Sequence, residues 1–172
     1  MDAARRLIAH FGLEPHPAEG GYFRESYRAT ETLAAAALPQ RYAGPRALGT
    51  AIYYLLTAQT CSCLHRLASD EIFHFYHGDP VELLLLPSDD EEGAAQLHRL
   101  GTDWERGMVS QLIVPRGAWQ GARLQPGGAY ALLGTTVAPG FEYADYEAGD
   151  PAHLTDRFPA HAELIQALAP PA

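Results

Sequence analysis

Apolar and polar residues alternate along most of this chain with the period of two that is typical of half-buried β-strands. One segment, residues 81–86, is almost entirely apolar and is expected to lie in a sheet that is covered on both faces. Turns rich in proline and glycine separate the strands. The predicted strands span residues 22–28, 49–57, 61–67, 71–76, 81–86, 96–101, 108–114, 119–124 and 130–137. Short strands at this spacing predict an all-β sandwich or barrel.

A helical spacing of apolar residues occurs only near the two ends of the chain. Asp2 can cap, and Gly12 can end, a short amphipathic helix over residues 2–11. A second short helix is predicted over residues 159–169. Residues 33–45 are rich in alanine and contain two prolines, so we expect a surface loop there.

The composition is that of an ordinary globular protein, and we expect one domain over residues 1–172. Hydrophobic residues make up 47% of the 172 residues and charged residues 19%. The net charge of -9 argues against nucleic acid or an anionic membrane as the partner. No segment approaches the roughly 20 apolar residues that span a bilayer, and the N-terminus lacks the layout of a secretion signal. A cytoplasmic protein with reduced cysteines is therefore expected.

Metal-capable and ionisable side chains are concentrated in residues 61–78. Simple alternation places Cys61, Cys63 and His65 on one face of a strand, and Glu71 on the inward face of the next strand. A histidine and a glutamate on neighbouring strands can meet across a sheet face. An apolar face that holds one imidazole and one carboxylate predicts a binding pocket.

The spacing of these residues resembles the two motifs of the cupin superfamily. Glu71 is followed after six residues by Gly78, as in the first cupin motif, and His65 stands where the first histidine of that motif belongs. Pro115-Arg-Gly117 is similar to the Pro-x-Gly of the second motif. Further pieces resemble the cupin-5 family, also called domain of unknown function 985: they are His16-Pro-Ala-Glu-Gly-Gly-Tyr-Phe-Arg-Glu, Ile52-Tyr-Tyr-Leu-Leu, His74-Phe-Tyr-His-Gly-Asp-Pro, Val114-Pro-Arg-Gly-Ala-Trp-Gln-Gly-Ala and Val137-Ala-Pro-Gly-Phe-Glu-Tyr-Ala-Asp-Tyr.

This resemblance implies a double-stranded β-helix, the cupin jelly roll, with a pocket at the mouth of a small barrel. It also implies a homodimer in which N-terminal strands pair or exchange between subunits. Ala18 is an extra residue within the family's His-Pro-Glu-Gly-Gly sequence, so the direction of Glu19 is not given by the resemblance. The fold hosts many unrelated chemistries and does not by itself supply a function.

Metal-binding cupins, which this chain resembles, hold iron, manganese, nickel or zinc with three histidines and the glutamate. Here His65 and Glu71 are present, but Leu67 and Gln120 occupy the positions of two histidines. Two strong ligands and an amide are too few for a tight transition-metal site, so no metal ligands and no cofactor are predicted. A divalent metal held by His65, Glu71 and a further ligand is the alternative.

Sugar-nucleotide epimerases of the same superfamily suggest a metal-independent isomerase or epimerase. In that hypothesis His65 is the general base, and Glu71 orients it for proton abstraction next to a carbonyl. Tyr53, Tyr76 and Tyr130 are the candidate acids, and Tyr53 is taken as the catalytic one.

A non-catalytic module that binds a small polar metabolite is the other alternative, because the primary amide of Gln120 is a good bidentate hydrogen-bonding group. His16 and Glu19 are interpreted as parts of a glycine-rich turn. The predicted ligand-binding residues are Gln120, Trp119, Phe73, His74, Arg66 and Tyr130.

Overall fold

The structure, a computed structural model, describes residues 2–170. The first helix, α1, spans Ala3–Phe11 and begins where predicted, because Asp2 accepts a hydrogen bond from a backbone N–H of its first turn at 2.8 Å. Gly12 ends the helix in the left-handed region, with φ of 60°. The apolar side of α1 packs on a sheet around Leu55 and Leu132. In residues 2–170 no helix is long and apolar enough to cross a membrane.

Residues 2–170 form thirteen strands and three short helices. The strands are β1 (Glu14–Pro15), β2 (Tyr22–Arg28), β3 (Thr32–Leu33), β4 (Arg46–Ala47), β5 (Thr50–Thr57), β6 (Cys61–Leu67), β7 (Asp70–Gly78), β8 (Val81–Leu86), β9 (Gln96–Leu100), β10 (Gln111–Val114), β11 (Trp119–Leu124), β12 (Tyr130–Ala138) and β13 (Tyr146–Ala148). The other two helices are α2 (Pro151–Arg157) and α3 (Ala162–Ala167).

Two antiparallel sheets form the jelly roll that the sequence predicts. One has the strand order β1-β2-β5-β12-β7-β10 and the other β13-β6-β11-β8-β9, while β3 and β4 make a separate hairpin. Alternating side chains from both sheets, among them Tyr54, Phe73, Leu83 and Leu133, are fully or almost fully buried between them. This inner layer is the main hydrophobic core, and the candidate site lies at one end of it.

The C-terminal region contains two helices where the sequence predicts one over residues 159–169. The additional helix α2 begins at Pro151, and Asp150 caps it by accepting a hydrogen bond from the Ala152 N–H. Both helices cover the outer face of the second sheet, where Leu154 and Ile165 are fully buried.

Strand β10 begins at Gln111, later than the predicted residue 108. The reason is a competing set of backbone bonds: the Val109 N–H donates to the Arg99 carbonyl, and the Gly101 N–H donates to the Val109 carbonyl. The segment before β10 is therefore tied to the end of β9.

A β-bulge in β6 changes which of its side chains face inward. Gln120 of β11 pairs with His65, but Ala122 pairs with Ser62, so the register shifts between these pairs. Ser62 therefore joins His65 on the inner face. The expectation that Cys61 and Cys63 share the face of His65 is wrong, because the extra residue of the bulge breaks the simple alternation.

A buried ion pair joins the hairpin to the segment that precedes β13. The Arg46 guanidinium donates to both carboxylate oxygens of Asp145, at 2.6 and 2.7 Å, and each side chain is only 3% exposed. Such a bidentate pair also fixes geometry. It ties residues 44–46 to the chain beside the cavity described below.

We expect Asp145→Ala to lower the free energy of unfolding by about 3–5 kcal/mol, because it leaves the Arg46 charge buried and uncompensated. Urea denaturation measures this loss. Glu147→Ala is the control, since Glu147 also pairs with an arginine, Arg66, but is 56% exposed; its loss is expected to be about 0–1 kcal/mol. Equal losses in the two variants would contradict a structural role for the buried pair.

Candidate functional site

A cavity of about 190 Å³ opens at one end of the barrel, between the two sheets. We call it the barrel cavity. Its floor and walls carry ionisable side chains: they are His16, Glu19, Glu25, Arg28, Glu71 and Glu142. Its apolar and aromatic walls include Phe23, Ile52, Phe141 and Tyr143. A small concave site with a few converging polar groups is the usual form of a metabolite-binding pocket.

The turn between β1 and β2 places Glu19 at this cavity. Gly20 and Gly21 both have positive φ, at 90° and 70°, which side chains rarely tolerate. A Cβ atom on Gly20 would lie 2.5 Å from the Cys61 carbonyl oxygen, so only glycine lets the turn rest on β6. The Cys63 N–H donates to the Glu19 carbonyl at 2.8 Å and holds the turn there.

Glu19 lies between two imidazoles. One carboxylate oxygen accepts the Ser62 hydroxyl at 2.5 Å. The other is 3.8 Å from His65 Nε2 and 3.9 Å from His16 Nε2. Ser62 and His65 reach this group together because of the bulge in β6. The turn and the bulge therefore build one cluster from distant parts of the chain.

The hydrogen bonds of the two histidines assign different tautomers to them. His65 Nδ1 lies 2.7 Å from the Cys63 carbonyl, which can only accept, so Nδ1 carries a proton and neutral His65 has a free lone pair on Nε2. His16 Nδ1 accepts the Glu19 N–H at 2.9 Å, so the proton of neutral His16 is on Nε2. Burial lowers the pKa of His16, although the charge of Glu19 opposes this effect. Near neutral pH His16 is therefore uncharged.

Glu71 is a second carboxyl group on the cavity wall, and its surroundings favour the protonated form. Burial raises the pKa of Glu71, and the negative charge of Glu19 raises it further. His65 and hydrogen bonds from Thr135 and Gln120 act in the opposite direction. The Gln120 amide donates to Glu71 at 2.7 Å. In the described part of the chain, the remaining amide oxygen of Gln120 is buried without a hydrogen-bond partner.

These donors do not fit a resident transition metal. His65 offers one free imidazole nitrogen, but His16 Nε2 carries a proton that an ion would have to displace. Glu71 is engaged by Gln120, and Leu67 offers no ligand at all. Within residues 2–170 no three His, Cys, Asp or Glu side chains are grouped as a metal site. Tight transition-metal sites need about three good protein ligands.

The structure brings together three of the sequence-predicted site residues. His65 and Gln120 are cross-strand partners, and Gln120 is bonded to Glu71. His65 stands behind Glu19 and is only 1% exposed, whereas Glu71 lines the cavity. His65 is oriented by the hydrogen bond that its Nδ1–H donates to the Cys63 carbonyl. Glu71 instead accepts a hydrogen bond from Gln120.

Two predicted aromatic residues belong to packed clusters away from the cavity. Tyr53 points to the outer face of β5, where its ring lies 4.6 Å from that of Phe11. Its neighbour Tyr54 faces inward instead and donates to the Gly20 carbonyl at 2.8 Å. Phe73 is buried in the main core.

Four other predicted ligand-binding residues also lie outside the cavity lining. Trp119 is buried under the C-terminal helices, and the Arg66 guanidinium lies 4.3 Å from the centre of its ring. Arg66 is bound to Glu147 and Asp89 on the outer surface. The remaining two residues are His74 and Tyr130. His74 Nε2 lies 3.1 Å from the Thr136 hydroxyl, and the Tyr130 ring packs near His77.

Sequence reasoning assigned His16 and Glu19 to turn geometry and so missed two residues of the site. The signal was present, because both belong to the His-Pro-Ala-Glu-Gly-Gly sequence whose paired glycines permit a close backbone approach. Their place in the barrel depends on which strand the turn rests on, and a local pattern does not carry that information.

Comparison with known proteins identifies the family of this chain. Residues 5–149 match the family described as Cupin superfamily (DUF985). The uncharacterized protein YML079W of Saccharomyces cerevisiae (strain ATCC 204508 / S288c) is 29% identical over 150 residues, which are 83% of this chain and 73% of the relative.

Two solved structures resemble the whole molecule. A hypothetical protein from Leishmania major is 31% identical, with a TM-score of 0.84 over 98% of this chain and 99% of the other. Protein SO0799 from Shewanella oneidensis is 32% identical, with a TM-score of 0.83 over 100% of both chains. A dTDP sugar isomerase from Desulfovibrio desulfuricans shares only the fold, at 14% identity and a TM-score of 0.52 over 74% of this chain and 83% of that one. The chain therefore belongs to the cupin superfamily, in the family designated DUF985.

Proposed function

We propose that the protein binds a small polar metabolite in the barrel cavity and acts on it by metal-independent proton transfer, as a sugar-type isomerase or epimerase. The observation that carries this proposal is a pair of cavity carboxyl groups in contrasting environments. Glu71 is buried and held by an amide, whereas Glu19 accepts a hydroxyl and lies between two imidazoles. In active sites, different environments move the pKa values of two titratable groups apart, so that one acts as the acid and the other as the base.

Glu71 has the properties of the acid. Its raised pKa keeps the proton on the carboxyl group at higher pH than is usual for glutamate. A protonated carboxyl group in a cavity can donate to the oxygen of a bound carbonyl. Gln120 and Thr135 hold the group in place.

Glu19 is the base that meets the ligand, and His65 is the positioning residue behind it. His65 Nε2, the nitrogen that has a lone pair when His65 is neutral, lies 3.8 Å from the Glu19 carboxylate. Two unprotonated groups share no hydrogen bond; one forms once Glu19 has taken a proton, with the Glu19 hydroxyl donating to His65 Nε2. A proton taken by Glu19 can then pass to His65, which is how the histidine contributes to basicity.

The proposed isomerisation balances without any further reactant. Glu19 removes the proton from the carbon next to a carbonyl, and Glu71 gives its proton to the carbonyl oxygen, which yields an enediol. Glu19 then returns its proton to the former carbonyl carbon, while Glu71 takes back the proton of the second hydroxyl. An epimer would form instead if the enediol turned its opposite face to Glu19 before the proton returned to the original carbon.

The volume of the cavity restricts the ligand. The volume available to a ligand inside the cavity is about 190 Å³. This lies below the range of pockets for drug-sized ligands. A single monosaccharide or a smaller carbonyl compound is therefore the expected substrate class.

We expect the protein to catalyse solvent deuterium exchange into the carbon-bound position of its sugar substrate, measured by NMR on a panel of monosaccharides. Glu19→Gln should slow exchange by about 10²–10⁴-fold, because it removes the base while leaving the shape. Glu105→Gln, at an exposed glutamate far from the cavity, is the matched control and should be unaffected. Exchange that persists in Glu19→Gln would contradict this role. If none of the sugars in the panel takes up deuterium, the result would favour a non-catalytic binding module.

The stability of the protein should report the raised pKa of Glu71. A carboxyl group whose pKa is raised on folding stabilises the protein below its unfolded pKa, near 4.5, and this stability is lost as pH rises through the folded pKa. As the pH rises from the unfolded to the folded pKa of Glu71, the free energy of unfolding of the wild type should fall relative to that of Glu71→Gln. The slope of this difference should reach up to ~1.4 kcal/mol per pH unit. Denaturation at a series of pH values measures the difference. A difference that does not change with pH would show that the acid is not Glu71.

Protein purified without added metal should contain far less than one transition-metal ion per chain, because the donors offer a single free imidazole nitrogen. Elemental analysis by mass spectrometry makes the measurement, and a sample incubated with zinc and then desalted is the comparison. A tightly held, stoichiometric metal would overturn the metal-free proposal in favour of the metal-dependent alternative.

A further inference from the structure

The mouth of the barrel cavity holds one cation whose hydrogen-bonding capacity is already used. The Arg28 guanidinium donates to both carboxylate oxygens of Glu25 and, at 2.7 Å, to Glu142. It also donates to the Phe141 carbonyl at 3.1 Å. Arg28 is therefore held by two carboxylates, and its guanidinium has no free pair of N–H donors for an incoming anion.

The charges that line the cavity are predominantly negative. One guanidinium against the two carboxylates Glu25 and Glu142 leaves the mouth with an excess of one negative charge. Glu19 adds another deeper in, which neutral His16 does not offset and which only a protonated His65, 3.8 Å away, would offset. The Glu19 side chain is 13% exposed and its charge is weakly screened, whereas Glu25 and Glu142 are 39% and 45% exposed and are screened by salt.

The same carboxylates act on a nearby tyrosine at the rim of the cavity. Burial raises the pKa of Tyr143, and the charges of Glu19 and Glu25 raise it further, since they oppose a phenolate. Tyr143 and Phe141 stand at the rim with ring centres 5.2 Å apart, and Phe23 lies further in. Aromatic rings with negative faces add to the attraction for a cation.

From this geometry we propose that the ligand of the barrel cavity carries a protonated amine and no phosphate, as a small amino sugar or a similar amine-bearing polyol does. The inference rests on the proposed function only in using the same cavity. The amine would lie near Glu19 or the Glu25 and Glu142 carboxylates, with its carbon skeleton against the aromatic rim. Side-chain recognition of phosphate relies mainly on arginine and lysine. Among the cavity-lining residues, all of which are described, Arg28 is the one such side chain, and it is already held by Glu25 and Glu142.

This ligand class differs from that of a nucleotide-activated sugar, although a dTDP sugar isomerase shares the fold. A nucleoside diphosphate would bring negative charges to a mouth that already has an excess of them.

Titration calorimetry with matched pairs of probes tests the proposal. The pairs are glucosamine with glucose, galactosamine with galactose, and mannosamine with mannose, and glucose 6-phosphate is the anionic probe. At low salt, at least one amino sugar should bind about tenfold more tightly than its neutral partner. Glucose 6-phosphate should bind more weakly than glucose. The preference should decline as salt is added, because part of the site is exposed.

Glu142→Gln is the informative variant, because Glu142 is 45% exposed and its loss should not unfold the protein. It releases Arg28 from one of its two carboxylates, so the amine preference should fall several-fold and glucose 6-phosphate should bind better. Glu105→Gln, outside the cavity, should keep the wild-type preference.

If no amino sugar binds more tightly than its neutral partner, or if Glu142→Gln leaves the preference intact, the proposal is wrong. These results are independent of catalysis. Amine-selective binding without deuterium exchange would overturn the proposed isomerase and leave the ligand class standing. Deuterium exchange into neutral sugars without amine-selective binding would overturn the proposed ligand class and leave the proposed isomerase standing.

Discussion

The contact of the Gly20 backbone with strand β6 is the constraint on which the site depends. A side chain at position 20 would collide with the Cys61 carbonyl, so the turn can dock only with glycine there. Docking brings Glu19 to the inner face of the barrel, and the bulge in β6 turns Ser62 and His65 toward it. Neither feature alone builds the cluster. The turn supplies the carboxylate, and the bulge supplies its two partners from β6.

The second consequence is electrostatic. Once Glu19 carries its charge inside the barrel, a second charge on Glu71 is disfavoured, and burial adds to this effect. Where a typical metal-binding cupin would place a histidine, Gln120 donates an amide hydrogen to Glu71. The glutamate is therefore held by a neutral hydrogen bond, which is the feature that supports the proposed proton transfer.

Local patterns were sufficient for most of the fold. Alternation predicted the principal strands, and Asp2 and Gly12 marked the ends of α1 because capping is a local interaction. Alternation also predicted that His65 and Glu71 meet, and the resemblance to the cupin motifs added Gln120 to them. The bulge in β6 was not, since one unpaired residue leaves no mark in the sequence and yet moves Ser62 inward. A similar limit applies to β5. Alternation places Tyr53 and Tyr54 on opposite faces of the strand, but it does not tell which of the two faces the core.

The ion pair between Arg46 and Asp145 bears on how quickly a ligand can exchange with solvent. Asp145 lies two residues beyond Tyr143, and Phe141 is held on the other side through Thr50 and Arg28, so the backbone of the rim is anchored at both ends. Tyr143 itself is half exposed. Passage past the rim then requires rotation of a phenol ring, a motion of picoseconds to nanoseconds, in place of the slower opening of a loop. A barrel of this design would release a bound ligand without a slow gating step.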